Sequence, residues 1–188
     1  DEYFGWHLTF SDDGNIVGIA APRADANGAQ SGQVKIFEWN SVTSLWAQKG
    51  QSINGLSAGD DTGTFISLNS DGSVIAVGES QREGSGNGRV RIFEWDDSSL
   101  TWIQKGESID GTGGFGVITG MSDDGNLVAG GAIYHDSNDY IYAGYAEVYE
   151  WNGESWLQKG QRINGTGNYE YSGYVTLSGD GLNLGVGS

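Results

Sequence analysis

The chain has 188 residues, with 33 glycines, one proline, no cysteine and a formal net charge of −16 at pH 7. This negative charge would repel a phosphate backbone, which argues against nucleic acid as a partner. The lack of cysteine excludes disulfides and thiolate metal sites, and no apolar run reaches the roughly 18 residues needed for membrane insertion. An aromatic fraction of 12% favours an ordered chain of many short strands and tight turns.

Each unit of the chain begins with a short predicted strand, an Asp-Gly turn and a second strand. In the first unit, Leu8 and Phe10 are apolar residues two positions apart, which marks one face of a strand. An Asp-Gly pair between two such segments is typical of a β-hairpin. The turns read "SDDG", "NSDG", "SDDG" and "SGDG" and end at Gly14, Gly72, Gly125 and Gly181.

The next two strands are predicted by a phrase that occurs three times. It reads "QVKIFEWNSVTSLWAQKG" at 33–50, "RVRIFEWDDSSLTWIQKG" at 89–106 and "AEVYEWNGESWLQKG" at 146–160. The first tryptophans of the three copies, Trp39, Trp95 and Trp151, are spaced 56 residues apart. Each phrase predicts a hairpin, which leads into an Asn-Gly or Asp-Gly turn at 54–55, 110–111 or 164–165.

The repeated segment contains six of the seven tryptophans, for which we consider a structural and a functional interpretation. We interpret each pair as a cross-strand aromatic contact at the base of the hairpin; a sugar-binding ladder is the alternative. The pairs are Trp39 and Trp46, Trp95 and Trp102, and Trp151 and Trp156. Three lysines recur at one position and are expected to pair with recurring glutamates, namely Lys49 with Glu38, Lys105 with Glu94, and Lys159 with Glu150.

Four antiparallel strands per repeat of about 56 residues, without helical periodicity, predict an all-β protein built from β-propeller blades. A stacked solenoid is the alternative. The repeats cover approximately 4–61, 62–114, 115–170 and, in part, 171–188, so that 1–188 is one propeller region with three full blades and half of a fourth. Since propellers have about four to eight blades, we expect a fragment of a larger ring, or a part that self-associates.

Two units carry a motif of Phe-Gly at one end and small residues at the other. These are Phe4-Gly5 with Ala20-Ala21-Pro22, and Phe115-Gly116 with Gly131-Ala132. The chain thereby resembles the FG-GAP repeat family, the blades of integrin α-subunit propellers. The second and fourth units depart from the motif, with Thr62-Gly63 and Tyr171-Ser172. The resemblance implies a seven-bladed, extracellular, non-enzymatic propeller that binds other molecules at the cell surface.

The resemblance also implies calcium in the first turn of each blade, and here the sequence departs from the family. The family's loop resembles Asp-x-Asp-x-Asp-Gly-x-x-Asp, whereas these turns hold one or two acids. A hard cation needs more converging carboxylates, so no cofactor is expected and each aspartate is predicted to hydrogen-bond its own turn. Calcium at the paired acids is the alternative, with Asp12, Asp13, Asp123 and Asp124 as ligands.

The sequence offers no catalytic constellation. Its two histidines are His7, in a predicted strand, and His135, in a loop, and neither has the spacing of a catalytic triad or a metal site. We therefore predict a protein that is not an enzyme and has no metal site.

Binding is predicted on the face that carries the variable loops. The loops between the second and third strands, and the connections between blades, differ from unit to unit and emerge on one face of a four-stranded meander. We predict a protein or glycan partner there, and the alternative is that the tyrosines pack the loop against its own blade. The predicted binding residues are Tyr134, Asp136, Asp139, Tyr140 and Tyr142 in the third loop, and Tyr169 and Tyr171 in the following connection.

A structural function and one modification are also considered. The alternative to a binding module is a structural protomer of an extracellular filament or surface coat, in which propeller units associate through their edges. Asn164, in Asn164-Gly165-Thr166, is the only N-glycosylation sequon, and it would carry a glycan if a eukaryote secretes the chain. The equivalent Asn54-Gly55 turn supports a purely conformational explanation.

Overall fold

The structure is a computed structural model that describes residues 3–80, 86–137 and 139–188. Across these ranges it is all β, with three five-stranded antiparallel sheets and one two-stranded sheet in chain order. This confirms the predicted fold of propeller blades, with half a blade at the end of the chain.

Each sheet is formed by strands that are consecutive in the chain. Blade 1 contains β1 (Leu8–Phe10), β2 (Ile16–Ala21), β3 (Gln33–Asn40), β4 (Leu45–Gln48) and β5 (Ile53–Asn54). Blade 2 contains β6 (Thr62–Leu68), β7 (Val74–Ser80), β8 (Gly88–Asp96), β9 (Thr101–Gln104) and β10 (Ile109–Gly111). Blade 3 contains β11 (Ile118–Met121), β12 (Leu127–Ala132), β13 (Tyr145–Trp151), β14 (Trp156–Gln158) and β15 (Ile163–Asn164). Half-blade 4 contains β16 (Tyr174–Leu177) and β17 (Leu184–Gly187).

The outer strand of each full blade is split into two, so each full blade has five strands rather than the predicted four. In blade 1 both β4 and β5 pair with β3, with Phe37 opposite Gln48 and Val34 opposite Ile53. The outer strand therefore has two more residues than β3 over this stretch. Gly50 lies between the two halves with a φ of 72°, a conformation that ends the strand. The turn predicted at 54–55 consequently begins inside strand β5.

The hydrophobic core lies between successive blades rather than within any one of them. Alternate residues of each strand point towards the neighbouring sheet, as in the contact of β2 and β3 with β6 and β7. Ile36, Ile66 and Ile75 are fully buried at this junction. Burial of each such side chain stabilises the fold by about 1.5–3 kcal/mol, so each blade depends on its neighbour.

The Asp-Gly turns join the blades at one end of the sheets. Gly72 has a φ of 72°, and a Cβ atom on it would lie 2.7 Å from Ile16 Cδ1 of the preceding blade. The amide of Asp12 donates to the Ser70 carbonyl at 2.8 Å, which links two successive turns. These turns are therefore constant because they form part of the contact between blades.

Candidate functional site

The repeated phrase forms an aromatic pair and an ion pair on each blade, as predicted. The two tryptophans of each phrase are cross-strand partners, with ring centroids 5.5, 5.5 and 5.3 Å apart in blades 1, 2 and 3. The lysine ammonium groups lie 3.2, 3.5 and 3.0 Å from the glutamate carboxylates in the same order.

The phrase also joins one blade to the next, a role that the sequence did not predict. The indole N–H of Trp102 donates to the Lys49 carbonyl of the preceding blade at 2.9 Å, and Trp156 donates to Lys105 at 2.7 Å. Trp102 is consequently only 3% exposed, whereas Trp46, which has no preceding blade to cover it within the described chain, is 43% exposed. These contacts support the structural interpretation of the tryptophans.

A buried charge cluster is a second contact between blades that sequence reasoning missed. The Glu79 carboxylate accepts from Arg91 Nε at 2.7 Å and from the Thr62 hydroxyl at 2.7 Å, and it lies 3.0 Å from Arg89 Nε. Arg91 also donates to the Asn54 carbonyl of blade 1 at 2.8 Å. Burial raises the pKa of Glu79, although the two guanidinium groups oppose this shift. The sequence around Glu79 contains no motif that predicts this network.

The variable loops and the connections between blades share one face, as predicted. In blade 1 the amide of Asp61 donates to the Gln30 carbonyl at 3.1 Å, and at the third junction Tyr171 donates to Tyr142 at 2.9 Å. Each of these connections is thus hydrogen-bonded to the loop of the preceding blade. Residues 81–85 of the second loop lie outside the described residues.

Four of the predicted tyrosines form one group, which we call the tyrosine cluster: Tyr134, Tyr142, Tyr169 and Tyr171. Tyr142 and Tyr171 stack with centroids 5.8 Å apart, and Tyr142 lies 6.0 Å from Tyr169. Tyr134 makes edge-to-face contacts with Tyr142 and Tyr171 at 6.2 and 6.3 Å. The cluster is open to solvent, and Tyr169 is 58% exposed. The structure therefore brings together four of the five tyrosines predicted from the sequence, and Tyr140 lies apart from them.

The other predicted site residues flank the cluster. Asp136 accepts a hydrogen bond from the Tyr142 amide at 2.7 Å and so fixes the loop. Tyr140 and Asp139 line a separate groove of about 610 Å³, together with His135 and Arg162. Asn164, the sequon residue, lies on the wall of the same groove. The structure therefore divides the predicted surface into an aromatic cluster and a polar groove.

The backbone of the cluster is in the left-handed region at three of its four tyrosines. The φ angles are 48° at Tyr142, 58° at Tyr169 and 53° at Tyr171. A bulky residue in this conformation is unfavourable by about 1–2 kcal/mol, and such residues concentrate at functional sites. Glycine would relieve the steric conflict at each position.

The groove beside the cluster rests on a hydrogen-bonded charge pair. Arg162 Nε donates to Glu147 at 2.8 Å, and its guanidinium lies 3.8 Å from the centre of the Tyr145 ring. Burial, together with a hydrogen bond to Glu147, raises the pKa of Tyr149. Burial lowers the pKa of His135, and the nearby Arg162 charge lowers it further. Both effects favour the neutral form of His135, whereas the nearby Asp136 and Glu147 charges oppose them.

The aspartates of the turns hydrogen-bond their own turns, as predicted. Asp13 accepts from the Ser11 hydroxyl at 2.6 Å and from the Asn15 amide at 2.9 Å, and Asp124 accepts from Ser122 and Asn126 at 2.6 and 3.0 Å. These bonds lower the pKa of both carboxyls. In the described residues no group of three or more His, Asp or Glu side chains is arranged to hold a metal ion. Calcium at Asp12, Asp13, Asp123 and Asp124 stays an untested alternative.

His7 lies at a blade junction, away from the tyrosine cluster. Its ring centroid is 3.7 Å from that of Phe65 in the next blade, and burial lowers its pKa. The structure therefore places the two histidines in separate environments. Among the described residues, no helix is long and apolar enough to span a bilayer.

Several solved propeller structures share this arrangement of sheets. The chain is similar to the Dos1 propeller, with 12% identity over 95% of this chain and 40% of that one and a TM-score of 0.51. It is similar to Saccharomyces cerevisiae Sqt1, with 11% identity over 84% of this chain and 35% of that one and a TM-score of 0.50. A third match is the tricorn protease, with 11% identity over 94% of this chain and 14% of that one and a TM-score of 0.51.

These similarities establish the fold, a partial β-propeller. The chain spans well under half the length of each of the three structures. No family model matches the sequence, and no curated protein matches it either. The resemblance to the FG-GAP family in particular therefore stays a prediction.

Proposed function

We propose that this propeller region is a non-catalytic, extracellular binding module that holds a protein or glycan partner on the tyrosine cluster. The observation that carries the proposal is the left-handed backbone at Tyr142, Tyr169 and Tyr171. Tyr142 and Tyr169 are exposed and Tyr171 is half-buried, so three unfavourable conformations at the aromatic residues of one loop face serve contact with a partner better than they serve packing. Tyrosine suits this role, since it gives a large contact area with a polar end and few rotatable bonds.

Charge and surroundings support the same proposal. Asp136 and Glu170 border the cluster, and hydrogen bonds from the Thr166 and Gly167 amides lower the pKa of Glu170. The rim is therefore anionic around an aromatic centre, which is the usual arrangement of a binding surface with a polar edge. The FG-GAP resemblance supports the extracellular location.

The proposal is tested with the double variant Tyr142→Asn and Tyr169→Asn, because asparagine tolerates the left-handed conformation. Wild type and variant would be screened against a glycan array and a panel of purified extracellular proteins. We expect any partner of the wild type to lose at least about tenfold in affinity. Leu100→Ala, at the tip of the exposed hairpin between β8 and β9 on the other face, is the control and should bind as wild type. Full binding by the double variant would contradict the proposal.

A second candidate function is a structural protomer, and one observation favours it. The free face of blade 1 exposes Leu8, Phe10 and Trp46, whereas the tryptophan equivalent to Trp46 in blade 2 is buried by the preceding blade. A further blade placed there would cover these side chains and give Trp46 a carbonyl partner. Sedimentation velocity separates the two functions, because a discrete monomer at all concentrations excludes the structural protomer.

A further inference from the structure

A pocket lies on the loop face where blade 1 meets blade 2, far along the chain from the tyrosine cluster. Its volume is about 170 Å³, close to the roughly 150 Å³ of an apolar cavity that binds benzene. Residues of both blades line it, namely Tyr3, Trp6, Pro22, Arg23, Asp61 and Thr64.

The walls of this pocket are two aromatic rings held at right angles. The rings of Tyr3 and Trp6 have centroids 6.0 Å apart and an interplanar angle of 84°, and both side chains are 49% exposed. The Trp6 indole N–H donates to the Thr64 carbonyl of the next blade at 3.2 Å, and the Arg23 guanidinium lies 5.2 Å from the centre of the Tyr3 ring. The rings are thus fixed in orientation while they remain accessible, which reduces the ordering that a ligand must impose.

The charged residues of the pocket are the buried Asp61 and the exposed Arg23. Asp61 is 6% exposed, and its backbone has a φ of 52°. Tyr3 has a φ of 53° and holds the equivalent position of the preceding repeat, two residues before the left-handed Gly5. Tyr3 and Asp61, which both have left-handed backbone, therefore line the same pocket, and left-handed residues also form the tyrosine cluster.

We propose that this pocket binds a single pyranose ring, either a free monosaccharide or the terminal unit of a glycan. The C–H face of a pyranose packs against an aromatic ring, while its hydroxyls donate to a carboxylate and accept from a guanidinium. The opposite charges of Asp61 and Arg23 suit a neutral sugar. A concave pocket with apolar and aromatic walls and a few converging polar groups is the usual form of a small-molecule site. This site is separate from the surface of the proposed function and does not depend on it.

The experiment uses the indole ¹H–¹⁵N spectrum of the whole chain, which should contain one signal for each of the seven tryptophans. Methyl glycosides of glucose, galactose, mannose and N-acetylglucosamine are titrated singly. With at least one of them we expect a saturable shift of the Trp6 signal, assigned with Trp6→Phe, while the six paired tryptophans stay unchanged. Absence of a saturable Trp6 shift with all four glycosides would overturn the proposal.

Variants then locate the bound sugar. Arg23→Ala changes an exposed side chain and should weaken binding several-fold, and Trp6→Ala should weaken it by at least about tenfold, measured by saturation transfer to the sugar. Tyr174→Ala is the matched control, because Tyr174 directly follows a left-handed glycine, as Trp6 does, and has similar exposure; it should bind as wild type. Unchanged binding by both Arg23→Ala and Trp6→Ala would place the sugar elsewhere and refute the site.

Discussion

The tryptophan pairs and the tyrosine cluster are the two aromatic regions of the molecule, and the chain holds them in different ways. Trp102 is buried, pairs across its hairpin and donates to the preceding blade. Tyr142 and Tyr169 are exposed, and their backbone is in the left-handed region. The aromatic residues that recur in every unit therefore stabilise the contact between blades. The tyrosines that occur only in the third unit lie on the loop face, where their left-handed backbone is unfavourable.

The same scaffold positions are filled differently in the first and third units. The Gln30 carbonyl accepts from Asp61, as the Tyr142 carbonyl accepts from Tyr171, and the φ angles of Gln30 and Tyr142 are 54° and 48°. Gly59, with a φ of 82°, occupies the position that Tyr169 holds in the third connection. The left-handed backbone at these positions is therefore common to the first and third units. Only the third unit has tyrosine at both of them.

The largest effect should come from removing a buried tryptophan. Trp102→Ala should lower the free energy of unfolding by about 3–5 kcal/mol, because it leaves a cavity and an unpaired Lys49 carbonyl. Trp46→Ala is the matched control at the open face and should lower it by under about 2 kcal/mol. Chemical denaturation gives both values, and equal losses would show that the contact between blades contributes nothing.

A smaller effect should come from the glycine of the Lys-Gly turn. Gly50→Ala places a Cβ 2.6 Å from Trp95 Cζ3, whereas Gly160→Ala, with nearly the same φ, meets nothing within 4 Å. Both variants are destabilised by a side chain at positive φ. The difference between their free energies of unfolding therefore reports the packing between blades. We expect Gly50→Ala to be less stable than Gly160→Ala by about 1–3 kcal/mol in thermal or urea unfolding. A larger loss for Gly160→Ala would contradict the packing described.

Acid should lower the free energy of unfolding through the Asp-Gly turns, and each turn should contribute modestly to this loss. The folded-state pKa of Asp124 is lowered from 3.8 by hydrogen bonds from Ser122 and Asn126, so its ionised form stabilises the fold above the unfolded pKa. This contribution is lost as pH falls through the folded-state value, below about pH 4. Asp124→Asn should therefore show a shallower fall in unfolding free energy on acidification. A fall as steep as that of the wild type would contradict the assignment.

Most of the fold was predictable from the sequence because its signals are periodic. The spacing of Trp39, Trp95 and Trp151 predicted the blades, and the fixed Asp-Gly turns predicted their first hairpins. The split outer strand was not predicted, since Gly50 reads in sequence as part of a turn and only the pairing of Ile53 with Val34 reveals a strand beyond it.

The candidate sites were predictable only in part. The tyrosines of the cluster were found because the third loop and the connection that follows it differ from their counterparts in the other units. The pocket of Tyr3, Trp6 and Asp61 was missed, since its residues belong to different units and are about 58 positions apart. Left-handed backbone at tyrosine is likewise invisible in a sequence, because it is set by the hydrogen bonds between loop and connection.

The stability of Tyr142→Asn and Tyr169→Asn most directly tests whether the tyrosine cluster is maintained for contact rather than for packing. Each change loses ring contacts of about 0.5–1.5 kcal/mol and relieves left-handed strain of similar size. Urea unfolding should therefore give free energies within about 1 kcal/mol of the wild type. A loss above about 2 kcal/mol in both variants would show that the tyrosines hold the loop on its blade and would contradict a binding role.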